Sequence, residues 1–438
     1  MSLSGAAFRA SVGMQPVGAA AARALTARRR VGIIWGLLFL NALGSGGTIV
    51  HLPSIVIKGI TQGSLIIALL MALALNRKVL IRPNVFLCLV SLLPMEAILT
   101  ALEPQALGTI YRTFRLTEFV TVLWLLTPWW GRRDLLLVRS HLAALAVILT
   151  SVVLGLLIRP GTAYSGGRLG GVVWEIPPTQ LAHYAAVTVG LVVVLWLCHQ
   201  VPGRTTLAIV VAAGTILLFT RTRTALLGMV AGILVAGLSL IVTRERVRRF
   251  FAIIGVIAAI AIITLSSVIT TYLARGEGTQ ELTNLTGRTK VWGPLLATPR
   301  TGFEEIFGFG LSNSSFNGLP IDSNWFSSYQ EQGLFGVTVC ALLLLFLLVA
   351  AYFQPGGVQR ALALFLIVYC LIASFTEDGF TDATPYLLEL ALAASLLVAP
   401  TVTGRFRQQD RAGPQLDLPT FEASPAGIST GRERSREV

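Results

Sequence analysis

The sequence predicts an all-α polytopic membrane protein with about 12 transmembrane helices. Three observations lead there. Of its 438 residues, 54% are hydrophobic and only 13% are charged, with a mean hydropathy of +0.74; a soluble chain of this length carries about 25% charged residues. Its apolar residues gather into runs close to the roughly 20 residues that a helix needs to cross a bilayer. No period-two alternation marks a barrel, and backbone groups in lipid must pair within their own segment, which leaves helices.

The runs lie at 32–50, 59–76, 84–103, 117–131, 139–158, 181–199, 205–220, 224–243, 250–273, 324–352, 359–376 and 384–401, the fourth and seventh being short. Residues 1–31 read as a basic cytoplasmic tail ending in Arg28-Arg29-Arg30. No small-residue cleavage site follows the first run, so an uncleaved first span is expected. Residues 402–438, rich in Pro, Gly, Ser and Arg, read as a disordered tail. The domain between, 32–401, is interrupted most strongly at 274–323, a large extracytoplasmic loop between the ninth and tenth spans.

Twelve crossings put both termini on one side. The tails and loops of that side hold 23 of the 34 Lys and Arg, leaving 11 opposite. The positive-inside rule makes the richer side cytoplasmic. It also accounts for most of the net charge of +13, so the charge does not point to nucleic acid; no aromatic-basic patch accompanies it. Cys88, Cys198, Cys340 and Cys370 show no paired spacing, and neither a disulfide framework nor a zinc site is expected.

The outward cations are the ones topology does not require. They include Arg112, Arg115, Arg159, Arg168, Arg221, Arg223 and Arg288, several beside Gly, Thr and aromatic residues. A single outward Arg is usually a snorkelling helix end. Seven on one face suggest an anionic partner, because the guanidinium fork matches phosphate with two parallel hydrogen bonds. Phe219-Thr220-Arg221-Thr222-Arg223-Thr224 forms a short turn between the seventh and eighth spans. Ser165-Gly166-Gly167-Arg168 precedes Trp174, and its glycines allow close backbone approach to a ligand. The long loop carries Thr286-Gly287-Arg288-Thr289 with Trp292, then Phe307-Gly308-Phe309-Gly310, and ends at Asp322-Ser323-Asn324-Trp325.

In this order and on one side, these segments resemble the O-antigen ligase and polymerase superfamily over about residues 30–400, most strongly from 160 to 336. The resemblance implies a GT-C-like fold in the bacterial cytoplasmic membrane. It implies a polyprenyl-diphosphate-linked glycan as donor and a glycan, lipid or wall polymer as acceptor; no dense carboxylate cluster in the sequence calls for a divalent ion, so no metal or cofactor is expected. Arg168, Arg221 and Arg288 then match donor-diphosphate positions, with Arg223 beside them. The family usually has His-Asn where this chain has Asp322-Ser323-Asn324. Spacing to Glu331 and Gly333 puts Asp322 at the histidine position, and a carboxylate can act as general base. Two alternatives are a polysaccharide polymerase of the same superfamily and a lipid-linked glycan flippase, although no inverted repeat of the two halves is evident.

Other residues have plainer readings. Trp174, Trp292 and Trp325 fit either sugar stacking or interface anchoring, and Asn324 is a possible acceptor contact. Glu377, Asp378 and Asp382 read as a solvated last outer loop. Glu96 and Glu389, inside apolar runs, are expected to be structurally paired. His183 and His51 fall near the outer face, whereas His141 and His199 fall on the cytoplasmic side.

Overall fold

A computed structural model describes residues 17–43, 53–101, 107–242, 244–274, 289–312 and 314–399. It is mostly helical: α1 (Val17–Ala42), α2 (Ser54–Leu75), α3 (Val85–Thr100), α4 (Leu107–Leu126), α5 (Leu136–Ile158), the single turn α6 (Pro160–Ala163), α7 (Pro178–Leu197), α8 (Gly203–Thr220), α9 (Arg223–Leu238), α10 (Glu245–Ala274), α11 (Thr289–Ala297), α12 (Gly302–Phe307), α13 (Asn324–Phe353), α14 (Val358–Ala373) and α15 (Pro385–Leu397). Two short antiparallel hairpins interrupt them: β1 (Tyr164–Ser165) with β2 (Arg168–Leu169), and β3 (Ser315–Phe316) with β4 (Leu319–Pro320).

Every apolar run overlaps one of these helices. Five described helices, α2, α5, α7, α8 and α13, are long and apolar enough to cross a membrane; α3, α9, α14 and α15 are apolar but shorter. The protein is therefore membrane-embedded in character. Three expected boundaries need correction. Helix α1 begins at Val17, inside the expected tail, because Ala19 to Ala22 form an alanine run of high helix propensity that leads straight into the arginines. Helix α4 begins at Leu107, ten residues before its apolar run, so Arg112 and Arg115 are helical residues. The 274–323 segment is not a plain loop: α11, α12 and the β3–β4 hairpin lie within it.

Helix α7 is the axis of the packing. Of its most apolar stretch, 89% is buried, against about a third of α2 or α5. Helices α8, α9 and α14 pack on it. Gly228 and Gly232, four apart on α9, bring α14 close: a Cβ at Gly232 would lie 2.9 Å from the Phe365 carbonyl oxygen. Such small-residue pairs let helix backbones approach where lipid supplies no hydrophobic drive.

Helix α13 is broken at Gly333, whose φ of 63° and ψ of −159° are non-helical. The short first segment carries Glu331 and Gln332, and the apolar segment follows. A Cβ at Gly333 would lie 2.4 Å from the Ile306 carbonyl oxygen, a backbone atom that cannot swing away. Gly333→Ala is expected to cost at least about 1–3 kcal/mol from the backbone conformation alone. Thermal unfolding in detergent checks this, with the exposed neighbour Leu334→Ala as the silent control.

Candidate functional site

The β1–β2 hairpin explains the paired glycines before Arg168. Gly166 and Gly167 have φ of 58° and 71°, and Ser165 pairs with Arg168 across them. Two successive positive φ values make the two-residue turn that suits a tight hairpin. The glycines thus serve the turn, and the turn aims Arg168. Its Nε donates to the Thr220 carbonyl at 3.0 Å and its Nη2 to Thr222 Oγ1 at 3.1 Å. Arg168 therefore clamps the α8–α9 turn that holds Arg221 and Arg223. Arg221 sits at φ 52° as the C-cap of α8 and is exposed, with its guanidinium beside Gly167; Arg223 is half-buried at the start of α9. Burial lowers the Arg168 pKa below its ordinary value, and the nearby Glu377 carboxylate opposes that shift. Three expected donor-site arginines are thereby brought together. The fourth, Arg288, lies outside the described residues, as does His51.

Asp322 is placed by a different device. The β3–β4 hairpin closes just before it, and the Ile321 N–H donates to the Ser314 carbonyl at 2.8 Å. The Ser323 N–H then donates back to the Ile321 carbonyl at 2.9 Å, a three-residue γ-turn centred on Asp322. The turn leaves Asp322 half-buried while Ser323 and Asn324 are fully enclosed. Asn324 Oδ1 accepts from the Phe380 N–H at 2.8 Å, its backbone N–H donates to the Ser374 carbonyl at 3.0 Å, and Trp325 Nε1 donates to Ser374 Oγ at 3.1 Å. Asn324 and Trp325 thus tie α13 to the loop between α14 and α15.

That loop, residues 374–384, joins the separate pieces. Thr376 Oγ1 donates to Thr224 Oγ1 at 2.9 Å, beside the arginine turn. Glu377 acts on Arg168, and its neighbour Asp378 interacts with Asp322 and Asp382. Burial raises the Asp378 pKa, the Asp322 and Asp382 charges raise it further, and a hydrogen bond with Ser314 opposes them. Asp382 is buried and pairs with Arg112 at 3.5 Å and Arg115 at 3.2 Å; Arg115 also donates to the Ala383 carbonyl at 2.8 Å. The expectation of a solvated acidic loop fails for Asp382, because residues 379–383 are packed inside the protein, whereas Glu377 and Asp378 are half-buried. Two of the seven outward arginines consequently have an internal carboxylate as partner.

The tryptophans face the protein. Trp292 stacks on Phe326 at 4.6 Å, within a small cluster around Val291, Leu295 and Ile321. Trp174 packs, half-buried, against the main core. The Gly308-Phe309-Gly310 stretch docks onto α13, its N–H groups donating to the Gln330 and Glu331 carbonyls at 3.0 and 2.9 Å. Glu331 Oε1 collects the Ser312 and Ser314 N–H groups at 3.0 and 2.8 Å, and Glu96 lies near Glu331 within the protein. Sequence reasoning missed Arg300. It lies over the rings of Tyr329 at 4.2 Å and Phe309 at 4.9 Å and donates to the Tyr329 carbonyl and Gln330 Oε1. A lone arginine after Pro299 carries no signal in the sequence that it clamps two distant rings.

A second polar group was legible only in parts. His183 Nε2 lies 2.8 Å from Glu389 Oε1, and His141 Nε2 lies 3.8 Å from the same oxygen. Tyr369 Oη is 3.1 Å from His183 Nδ1, and Trp35 Nε1 donates to His141 Nδ1 at 3.3 Å. All are buried. Glu389 is paired, as expected for a carboxylate inside an apolar run. The two histidines, assigned to opposite faces from their places in the sequence, share one carboxylate in the interior.

No protein-family model matches the chain, and no curated protein matches it.

Proposed function

We propose that the protein is an O-antigen ligase-like glycosyltransferase of the bacterial cytoplasmic membrane, with twelve spans in a GT-C-like arrangement and both termini cytoplasmic. It takes a glycan from a polyprenyl diphosphate at the outer face and gives it to an acceptor hydroxyl. One observation carries this reading. The 374–384 loop is bonded both to the arginine turn, through Thr376 and Thr224 at 2.9 Å, and to the start of α13 beside Asp322, through Phe380 and Asn324 at 2.8 Å. A cluster of arginines suited to a diphosphate and a carboxylate suited to a base thus adjoin one loop.

In this mechanism the acceptor oxygen attacks the anomeric carbon from the face opposite the diphosphate. The new C–O bond forms as the anomeric C–O bond to phosphate breaks. The hydroxyl proton passes to Asp322, and polyprenyl diphosphate leaves with the electron pair, so the configuration inverts. The exposed Arg221 guanidinium and the N–H groups of Arg168 not bound to the α8–α9 turn meet the developing charge from fixed positions, as preorganised donors do. Arg223 and Arg288 complete the cationic set. The product is a glycan, lipid or wall polymer carrying the transferred chain.

The direct test incubates purified protein in detergent with a polyprenyl-diphosphate glycan and candidate acceptors. Released polyprenyl diphosphate and a glycosylated acceptor, both seen by mass spectrometry, are the expected products. Glycan flipping in vesicles without transfer overturns the proposal. Arg168→Lys keeps the charge but loses the planar fork that holds Thr220 and Thr222 together. Transfer is expected to fall about 10- to 100-fold, the value of one or two charge-assisted hydrogen bonds; unchanged transfer removes Arg168 from the donor site.

A further inference from the structure

A cavity of about 730 Å³ opens between the C-terminal end of α7 and the first turns of α10. Helices α7, α8 and α9 follow one another through short links, and α8 and α9 both pack on α7, so this end of the bundle lies opposite the turn that holds Arg221. It belongs to the face that carries the larger share of Lys and Arg. Its lining combines two chemistries: the arginines Arg244, Arg246 and Arg249, and the apolar side chains of Trp196, Phe250, Ile253 and Ile254.

Three arginines share one carboxylate, Glu245, in this lining. Arg249 pairs with Glu245 at 2.6 Å, and both side chains are largely exposed, so that pair is weak. Arg244 and Arg246 have no carboxylate among the lining residues besides Glu245. Arg246 is fixed in place: its Nη1 donates to the Trp196 carbonyl at 2.9 Å and its guanidinium lies 5.3 Å from the Trp196 ring centre. Past Phe251, residues 252–260 of α10 are all exposed, with Ile253 at 60% and Ile254 at 43%. Arg244 and Arg246 thus line the same cavity as Ile253 and Ile254, at the start of an uncovered apolar stretch of α10.

We propose that this cavity binds an anionic phospholipid, its phosphate against Arg244 and Arg246 and an acyl chain along Phe250, Ile253 and Ile254 of α10. Basic pockets between helices on the cytoplasmic side suit anionic headgroups. The interfacial Trp196 ring fits at the boundary of head and tail. A soluble phosphate would satisfy the guanidiniums but leave the apolar lining uncovered, so charge and hydrophobicity together select a lipid. The site is independent of the transfer chemistry at the other end of the bundle.

Native mass spectrometry and thermal unfolding of the purified full chain in detergent test this. The probes are phosphatidylglycerol, phosphatidylcholine of the same acyl chains, and water-soluble glycerophosphoglycerol. Phosphatidylglycerol is expected to stay bound and to raise the unfolding temperature, whereas the other two do neither. Each arginine near such a headgroup is worth about a five-fold change in affinity, so Arg244→Gln with Arg246→Gln should weaken phosphatidylglycerol about 25-fold. Arg249→Gln, already paired with Glu245, should change it little. If the double variant does not fold, Arg244→Gln alone leaves the Arg246–Trp196 contact intact and should lose about five-fold. Equal retention of phosphatidylcholine, full stabilisation by the soluble headgroup, or undiminished phosphatidylglycerol binding in Arg244→Gln overturns the proposal.

Discussion

Asp322→Asn is expected to abolish glycan transfer, a loss of about 10²- to 10⁴-fold, while donor binding stays near wild type. The substitution preserves shape and removes only the ability to take a proton. The γ-turn that presents residue 322 is made by the backbone of Ile321 and Ser323, so it survives the change. The neighbouring Ser323 is enclosed, which leaves Asp322 as the accessible polar group of the Asp-Ser-Asn stretch. The readout is transfer rate beside donor affinity, with thermal unfolding to confirm the fold. Asp378→Asn separates proximity from chemistry. Asp378 interacts with Asp322, but burial holds its own carboxyl above the usual range. If Asp322→Asn turns over normally and Asp378→Asn does not, the base is Asp378 and the spacing argument for Asp322 fails.

The sequence revealed the long apolar helices because each of them announces itself locally. A run of apolar residues near membrane length needs no partner to be recognised, and all such runs overlap described helices. Boundaries failed where two local signals disagreed. At Val17 the alanine run extended the helix into a region read as a charged tail; at Leu107 the helix continued through Arg112 and Arg115 because Asp382 receives them. That pairing spans 270 residues of sequence, and no periodicity reports it. The same limit hid the importance of residues 374–384. Their carboxylates look like a hydrophilic loop until Arg112, Arg115, Arg168 and Thr224 are seen around them. Conversely, Gly166 and Gly167 were noticed for a ligand-related reason, whereas their positive φ angles show a turn requirement. The motif was visible; its physical cause was not.

The interior cluster around Glu389 carries the second large effect. Glu389→Ala is expected to destabilise the protein by about 3–5 kcal/mol, the usual consequence of removing one partner of a buried pair. The close contact itself is the smaller part, because polar contacts between helices in lipid average under about 1 kcal/mol. The larger part is what remains: His183, 2.8 Å from the lost oxygen, and Cys370, 3.6 Å from the other, are both enclosed and lose their carboxylate contact. Helices α5, α7, α14 and α15 each supply a member through His141, His183, Cys370 and Glu389, so the loss loosens four elements together. Glu389→Gln retains an oxygen and a size that can still meet His183, and should recover most of the stability. Glu389→Leu fills the space but leaves His183 Nε2 facing carbon, and should behave like alanine. Thermal unfolding in detergent ranks the three. If leucine proves as stable as wild type, packing holds these helices and the polar contacts add nothing. If Gln is stable yet inactive, the cluster takes part in the chemistry, and the arginines and Asp322 no longer account for turnover by themselves.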